Sequence, residues 1–191
     1  IEVNSFADVP SGTGLGSSGC FTVTFLRSLA SFYKKYPTQR ELAEIACKVE
    51  IERLKEPVGK QDQYISAFGG INSIEIDRSG KVTISPIPAC ADTLDELESN
   101  LLLFYTGQQR SASSILKDQE KRSSLSDKEI FENLHKTKEL GKISFQLLKD
   151  SKLNQIALLM HEHWMNKRKR YSGMSNQFMY KVYYAAIENG S

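Results

Sequence analysis

Apolar positions along this chain fall mainly into clusters of helical period, with a few alternating stretches in the first half. Ile1 to Phe6 alternates, Ile1 and Val3 sharing one face, and predicts a strand; Ala7 to Gly16 is a turn-rich loop. Phe21, Phe25, Leu29 and Phe32 then repeat as on one side of a helix, with Ser17 or Ser18 placed to cap its start. A second helix follows with no strand between. It opens on the capping box "TQRE", Thr38 to Glu41, and presents Leu42, Ile45, Ala46, Val49 and Leu54 as its apolar face. After the loop "EPVGKQDQYISAFGG" come two strands, Ile71 to Ile76 and Lys81 to Ile87, joined as a hairpin across "DRSGK".

Beyond Pro88 the pattern becomes helical. "DTLDELES" predicts a helix, and the apolar run "NLLLFYTG" a buried strand. Further helices are predicted from Gln108 to Glu120, from Asp127 to Lys149 with Gly141 as a candidate break, from Lys152 to Arg170, and from Asn176 to Glu188 with Gly190 as C-cap. The Ser/Lys-rich "DQEKRSSLSDKE" is the nearest thing to a domain join, and no internal repeat or low-complexity tract occurs. Strands in the first half and helices in the second define an α+β class.

Composition narrows the function. The 191 residues are 40% hydrophobic and 25% charged, with a formal net charge of +2, which gives no footprint for nucleic acid. The basic run "NKRKRY", Asn166 to Tyr171, reads as a solvated helix end, with phosphate binding as the alternative. Cys20, Cys47 and Cys90 are odd in number and lack C-x-x-C spacing, which suits reduced thiols in a cytoplasmic protein. No apolar run has the length of a membrane span, so no membrane partner is expected. The sequence starts without Met inside a strand-like stretch, and reads as a fragment of a longer chain.

The candidate chemistry sits in "PSGTGLGSSGCF", Pro10 to Phe21. Gly14, Gly16 and Gly19 fit G-x-G-x-x-G, but a dinucleotide site needs strand, helix, then a second parallel strand, and here helix follows helix. The lysine of a P-loop is missing as well. What remains is an anion site, where glycine amides and a helix start face a phosphate and Ser17 and Ser18 add hydroxyls; a plain glycine-rich turn with a serine cap is the alternative. His161 and His163 flank Glu162, but at i and i+2 on a helix they point about 200° apart and cannot chelate one ion together. Trp164 is expected in the core.

"PSGTGLGSSG" resembles the second signature of the GHMP kinases, and "VEIERLKEPVGKQDQYISAFGG" resembles the galactokinase-type segment in which a helix glutamate precedes a P-x-G loop and an Asp-Gln-aromatic run. "VGKQDQYISAFGGIN" and "LLLFYTGQQRSASSIL" are most similar to the D-glycero-D-manno-heptose 7-phosphate kinases. The resemblance implies a two-domain fold, residues 1–88 forming part of the ATP-loop domain and 89–191 part of the C-terminal domain. It implies ATP and Mg²⁺ as cofactors and a sugar phosphate as substrate, converted to a precursor of activated heptose for surface glycans. By position, Gly12, Gly14, Leu15, Gly16, Ser17, Ser18 and Gly19 would hold the nucleotide. Ser17 and Glu50 would ligate the metal, with Glu52 as competitor for Glu50, and Asp62 would be the general base. Asp62 as a helix N-cap and Glu50 as an exposed helix glutamate are the plain alternatives. Arg110 and Lys167, with Arg168 beside it, are candidate sugar-phosphate contacts or ordinary surface cations. The family's first and third signatures have no counterpart here, so the 191 residues alone are not expected to turn over substrate. Galactokinase-like activity, and a nucleotide or sugar sensor without catalysis, are the competing functions.

Overall fold

The computed structural model describes residues 2–8, 12–105, 128–170 and 175–190. These residues gather into two compact units, 2–85 and 86–190, each with its own packing.

The first unit packs α1 (Ser17–Phe32), α2 (Gln39–Cys47) and α3 (Gln61–Phe68) with the two-stranded sheet β1 (Asn72–Ile76) and β2 (Val82–Pro86). The Thr38 capping box forms as the sequence predicts. Glu41 N–H donates to Thr38 Oγ1 at 3.2 Å, and Thr38 N–H donates to Glu41 Oε2 at 2.7 Å, so two otherwise unpaired amides of the helix start are used. The core is Ala43, Cys47, Tyr64 and Val82, with Ile51, Ala67, Phe68, Ile74 and Ile84 packed around it. Arg40 donates to Val82 O at 2.9 Å and Lys60 Nζ to Gly80 O at 2.5 Å, tying the hairpin to α2 and to the start of α3. The hairpin turn is closed by Asp77, whose carboxylate accepts from the Ser79 hydroxyl and the Ser79 and Lys81 amides. Those bonds hold its carboxyl below the usual range.

The buried face of α2 is rotated from the one the apolar spacing predicts. Leu42, Ala43, Ala46 and Cys47 are buried, while Ile45 is exposed. Small side chains at 43 and 46 let neighbouring helices approach closely, and that gain outweighs burying the larger Ile45. The chain then widens into a π-helical turn, Lys48–Arg53, which shifts the phase of later residues and leaves Leu54 exposed. On α1 the buried residues are Gly19 and Val23; Phe21 and Phe32 are exposed. Residues 2–7 form no strand, because no described strand lies beside them to pair with.

In the second unit α4 (Ala91–Asn100), α5 (Lys128–Lys149), α6 (Leu153–Arg168) and α7 (Gln177–Glu188) match the predicted helices closely. Gly141 does not break α5; with nothing near its Cβ position it costs some propensity and nothing more. Helices α5 and α6 are joined by a three-residue turn and therefore run antiparallel. They are locked by a buried amide pair, Asn133 Nδ2 donating to Asn166 O at 2.7 Å and Asn166 Nδ2 to Asn133 O at 3.1 Å. Thr93 of α4 shares a 2.6 Å hydrogen bond with Ser151 in that turn. Between α6 and α7, Trp164 lies half-buried against Tyr183, so its core placement holds in part. Residues 101–105, predicted as the beginning of a buried strand, are exposed and unpaired: an apolar run becomes a buried strand only where a sheet receives it. The predicted helix from Gln108 to Glu120 lies outside the described residues. No described helix is long and apolar enough to cross a membrane.

Burial pushes the Cys47 thiol up to about 11, with Glu50 adding to the shift and Lys60 opposing it. The folded thiol thus keeps its proton where an unfolded one, near 8.5, loses it. Stability is therefore predicted to fall as pH rises from about 8.5 to 11, and Cys47→Ala to flatten that fall, measured by urea unfolding at stepped pH.

Candidate active site

Three left-handed glycines shape the loop before α1: Gly12, Gly14 and Gly16, with φ of 76°, 78° and 70°. An L side chain is strained in that region, so the alternation requires glycine at each position. Gly16 itself is the N-cap of α1, and no side chain caps the helix. Neither Ser17 nor Ser18 is the N-cap that the sequence predicts; both lie exposed in the first turn, one step too late to fold back on the amides. The first intrahelical bond is Cys20 N–H to Gly16 O at 3.1 Å, which leaves the amides of Ser17, Ser18 and Gly19 pointing outward at the positive end of the helix dipole. Leu15, at the crest of the loop, is about half exposed.

Asp62 meets this loop directly. It lies in the first turn of α3, whose N-cap is Lys60, so it is not the helix cap. A Cβ added at Gly16 would stand 3.2 Å from Asp62 Cγ and 3.3 Å from its Oδ2. At Gly19 an added Cβ would be 3.0 Å from Asp62 Cβ, 3.1 Å from its carbonyl carbon and 3.2 Å from the Gln63 nitrogen. The starts of α1 and α3 therefore touch through two residues without side chains. A carboxylate is thereby held at the edge of a cluster of outward amides, and both helix dipoles point their positive ends at the same place.

Glu50 is 3% exposed, whereas Glu52 is exposed, which separates the two carboxylates the sequence leaves as competitors. Glu50 falls on the stripe Ala43, Ala46, Cys47, Glu50, spaced i, i+3, i+4, i+7. It accepts a hydrogen bond from Gln63 Nε2, the side chain next to Asp62. No ion pair reaches Glu50 among the described residues. A buried carboxylate held only by a neutral amide suits a nearby cation. No group of three or more His, Cys, Asp or Glu residues placed for a metal occurs among the described residues. Glu50 and a hydroxyl such as that of Ser17 are oxygen donors of the kind Mg²⁺ accepts.

Gln63 is the residue that the spacing does not single out. Its signal in the sequence is its place directly after Asp62, inside the Asp-Gln-aromatic run.

Of the remaining candidates, Arg110 lies outside the described residues. Lys167 is in the last turn of α6, in the second unit. Arg168 is turned onto α7, its guanidinium 4.2 Å from the Tyr180 ring centre and bonded to Tyr184 Oη at 3.1 Å. His161 Nδ1 shares a 2.5 Å hydrogen bond with Tyr183 Oη.

Residues 1–70 match the family described as GHMP kinases N terminal domain. The chain has the GHMP kinase fold. It is 29% identical over its whole length to a D-glycero-alpha-D-manno-heptose 7-phosphate kinase from Campylobacter jejuni, of which it spans 56%. A bifunctional fucokinase/GDP-fucose pyrophosphorylase from Arabidopsis thaliana is 23% identical over 96% of the chain and 17% of its own length. Among solved structures, a D-glycero-D-manno-heptose 1-phosphate kinase from Bacteroides thetaiotaomicron superposes with a TM-score of 0.70 at 27% identity, over 86% of this chain and 47% of that one. The chain thus spans about half the length of the heptose kinases it matches.

The glycine contact predicts a selective sensitivity. Gly19→Ala must displace the α3 backbone and is expected to cost roughly 1–3 kcal/mol. Gly59→Ala, with open space and an ordinary φ, is expected to be neutral or slightly stabilising. Urea unfolding of the two variants beside the parent protein measures the difference.

Proposed function

We propose that this chain is the phosphate-binding part of an ATP-dependent sugar kinase, acting on the anomeric hydroxyl of D-glycero-D-manno-heptose 7-phosphate to give the 1,7-bisphosphate. The observation that carries the reading is the placement of the Asp62 carboxylate against Gly16, at the amide-lined start of α1. Phosphoryl transfer needs those two things side by side, fixed donors for phosphate oxygens and an acceptor for the proton of the attacking hydroxyl. The names of the relatives support a sugar as acceptor.

In this reading the amides from Gly12 to Gly19, with the Ser18 hydroxyl, hold the nucleotide phosphates, and Leu15 at the crest covers them. Ser17 and Glu50 hold Mg²⁺, which when bound offsets the charge on the transferring phosphoryl oxygens. Asp62 orients the anomeric hydroxyl and takes its proton as the new oxygen–phosphorus bond forms, while the bond from the γ-phosphorus to the β-phosphate oxygen breaks and ADP leaves. Arg110 and Lys167 are proposed to bind the sugar phosphate, residues 1–88 and 89–191 to belong to the two kinase domains, and the protein to work in the cytoplasm without nucleic acid or membrane as partner.

The test is phosphoryl transfer by the full-length protein with ATP and Mg²⁺, offered heptose 7-phosphate, galactose and fucose in parallel. Transfer to the heptose is expected, and Asp62→Asn is expected to lower kcat by about 10²–10⁴-fold while nucleotide affinity stays nearly unchanged. Preference for galactose or fucose would move the acceptor, and an Asp62→Asn variant at full rate would remove the base.

A further inference from the structure

Glu50 and Gln63 form a buried polar pair that the packing of the first unit leaves half used. Gln63 is 1% exposed and Glu50 3%. Because a carboxylate only accepts, the Gln63 amide must turn its Nε2 toward Glu50 Oε2, and Oε1 is thereby directed elsewhere. That Oε1 is buried and accepts no hydrogen bond from the described residues. Native interiors avoid such orphaned acceptors.

No Lys or Arg is hydrogen-bonded or ion-paired to either side chain among the described residues. Lys60 gives its ammonium to Gly80 O at 2.5 Å and Arg40 its guanidinium to Val82 O at 2.9 Å. Two acceptors, one of them anionic, therefore share a buried place that offers them a single N–H. A hydrated divalent cation supplies what both lack, positive charge for the carboxylate and an O–H donor for the amide oxygen.

We propose that Gln63 is a positioning residue for the divalent cation. Its Nε2 aims the Glu50 carboxylate, and its Oε1 accepts from a water carried by the metal. This rests on the reading in which Glu50 ligates Mg²⁺.

Mn²⁺ binding to the full-length protein, in the presence of a non-hydrolysable ATP analogue, is measured by electron paramagnetic resonance for Gln63→Met, Glu50→Gln and the double variant. Gln63→Met keeps the side-chain length and removes both donor and acceptor. It is expected to weaken Mn²⁺ about 10–100-fold, with metal-free nucleotide affinity unchanged. In the double variant it is expected to add nothing to the loss from Glu50→Gln, because it acts through that carboxylate. Parent-like Mn²⁺ affinity in Gln63→Met, or full additivity, would overturn the proposal while leaving Glu50 a ligand. Parent-like Mn²⁺ affinity in Glu50→Gln, or no Mn²⁺ bound by the unaltered protein, would instead remove the metal reading of Glu50 and this inference with it. Gln63→Leu, shorter and apolar, is the variant to use if Gln63→Met does not fold, with the same expected loss of Mn²⁺ affinity and the same overturning outcome.

Discussion

The close approach of the starts of α1 and α3 is the constraint on which the rest of the candidate site depends. A Cβ at position 19 would lie 3.1 Å from the backbone of Asp62, so two helix ends can meet here only because one of them carries no side chain. That approach places outward amides, two positive helix ends and a carboxylate in one small volume. It also explains why the α1 start has no side-chain cap. A capping hydroxyl would fill the amides that the arrangement leaves outward.

Behind this contact lies a second layer. The small residues Ala43 and Ala46 let α2 sit close to α3, and the same stripe carries Glu50 inward to Gln63. A carboxyl group buried this way works against folding unless it is compensated. The hairpin fastens the assembly from the other side, through Lys60 at the start of α3 and Arg40 on α2. Of the aromatic side chains of α1, Phe21 and Phe32 are exposed and Phe25 is half-buried, while Gly19 and Val23 are buried.

Local chemistry made much of this legible. The capping box at Thr38, the hairpin across Asp77 to Lys81, the described helices of the second half and the glycine loop all depend on neighbours in sequence, and each forms where it is expected. The α+β class holds, and residues 1–70 match the GHMP kinases N terminal domain family. The misjudged elements share a physical cause. The strand at Ile1 to Phe6, the buried strand over "NLLLFYTG" and the apolar face of α1 each rest on hydrophobicity, which says that a surface would gain by being covered but not what covers it.

The amino-acid sequence by itself determined where the loop can take φ near +70° without strain, by placing glycine three times in five residues, and it determined which residue types are available for phosphate, metal and proton. Tertiary structure alone decided which of two glutamates is buried, that Asp62 faces Gly16 instead of capping its own helix, and that Gln63 joins Glu50. These are contacts between residues 13 to 46 positions apart, set by how closely three helices can pack, and no spacing along the chain encodes that distance.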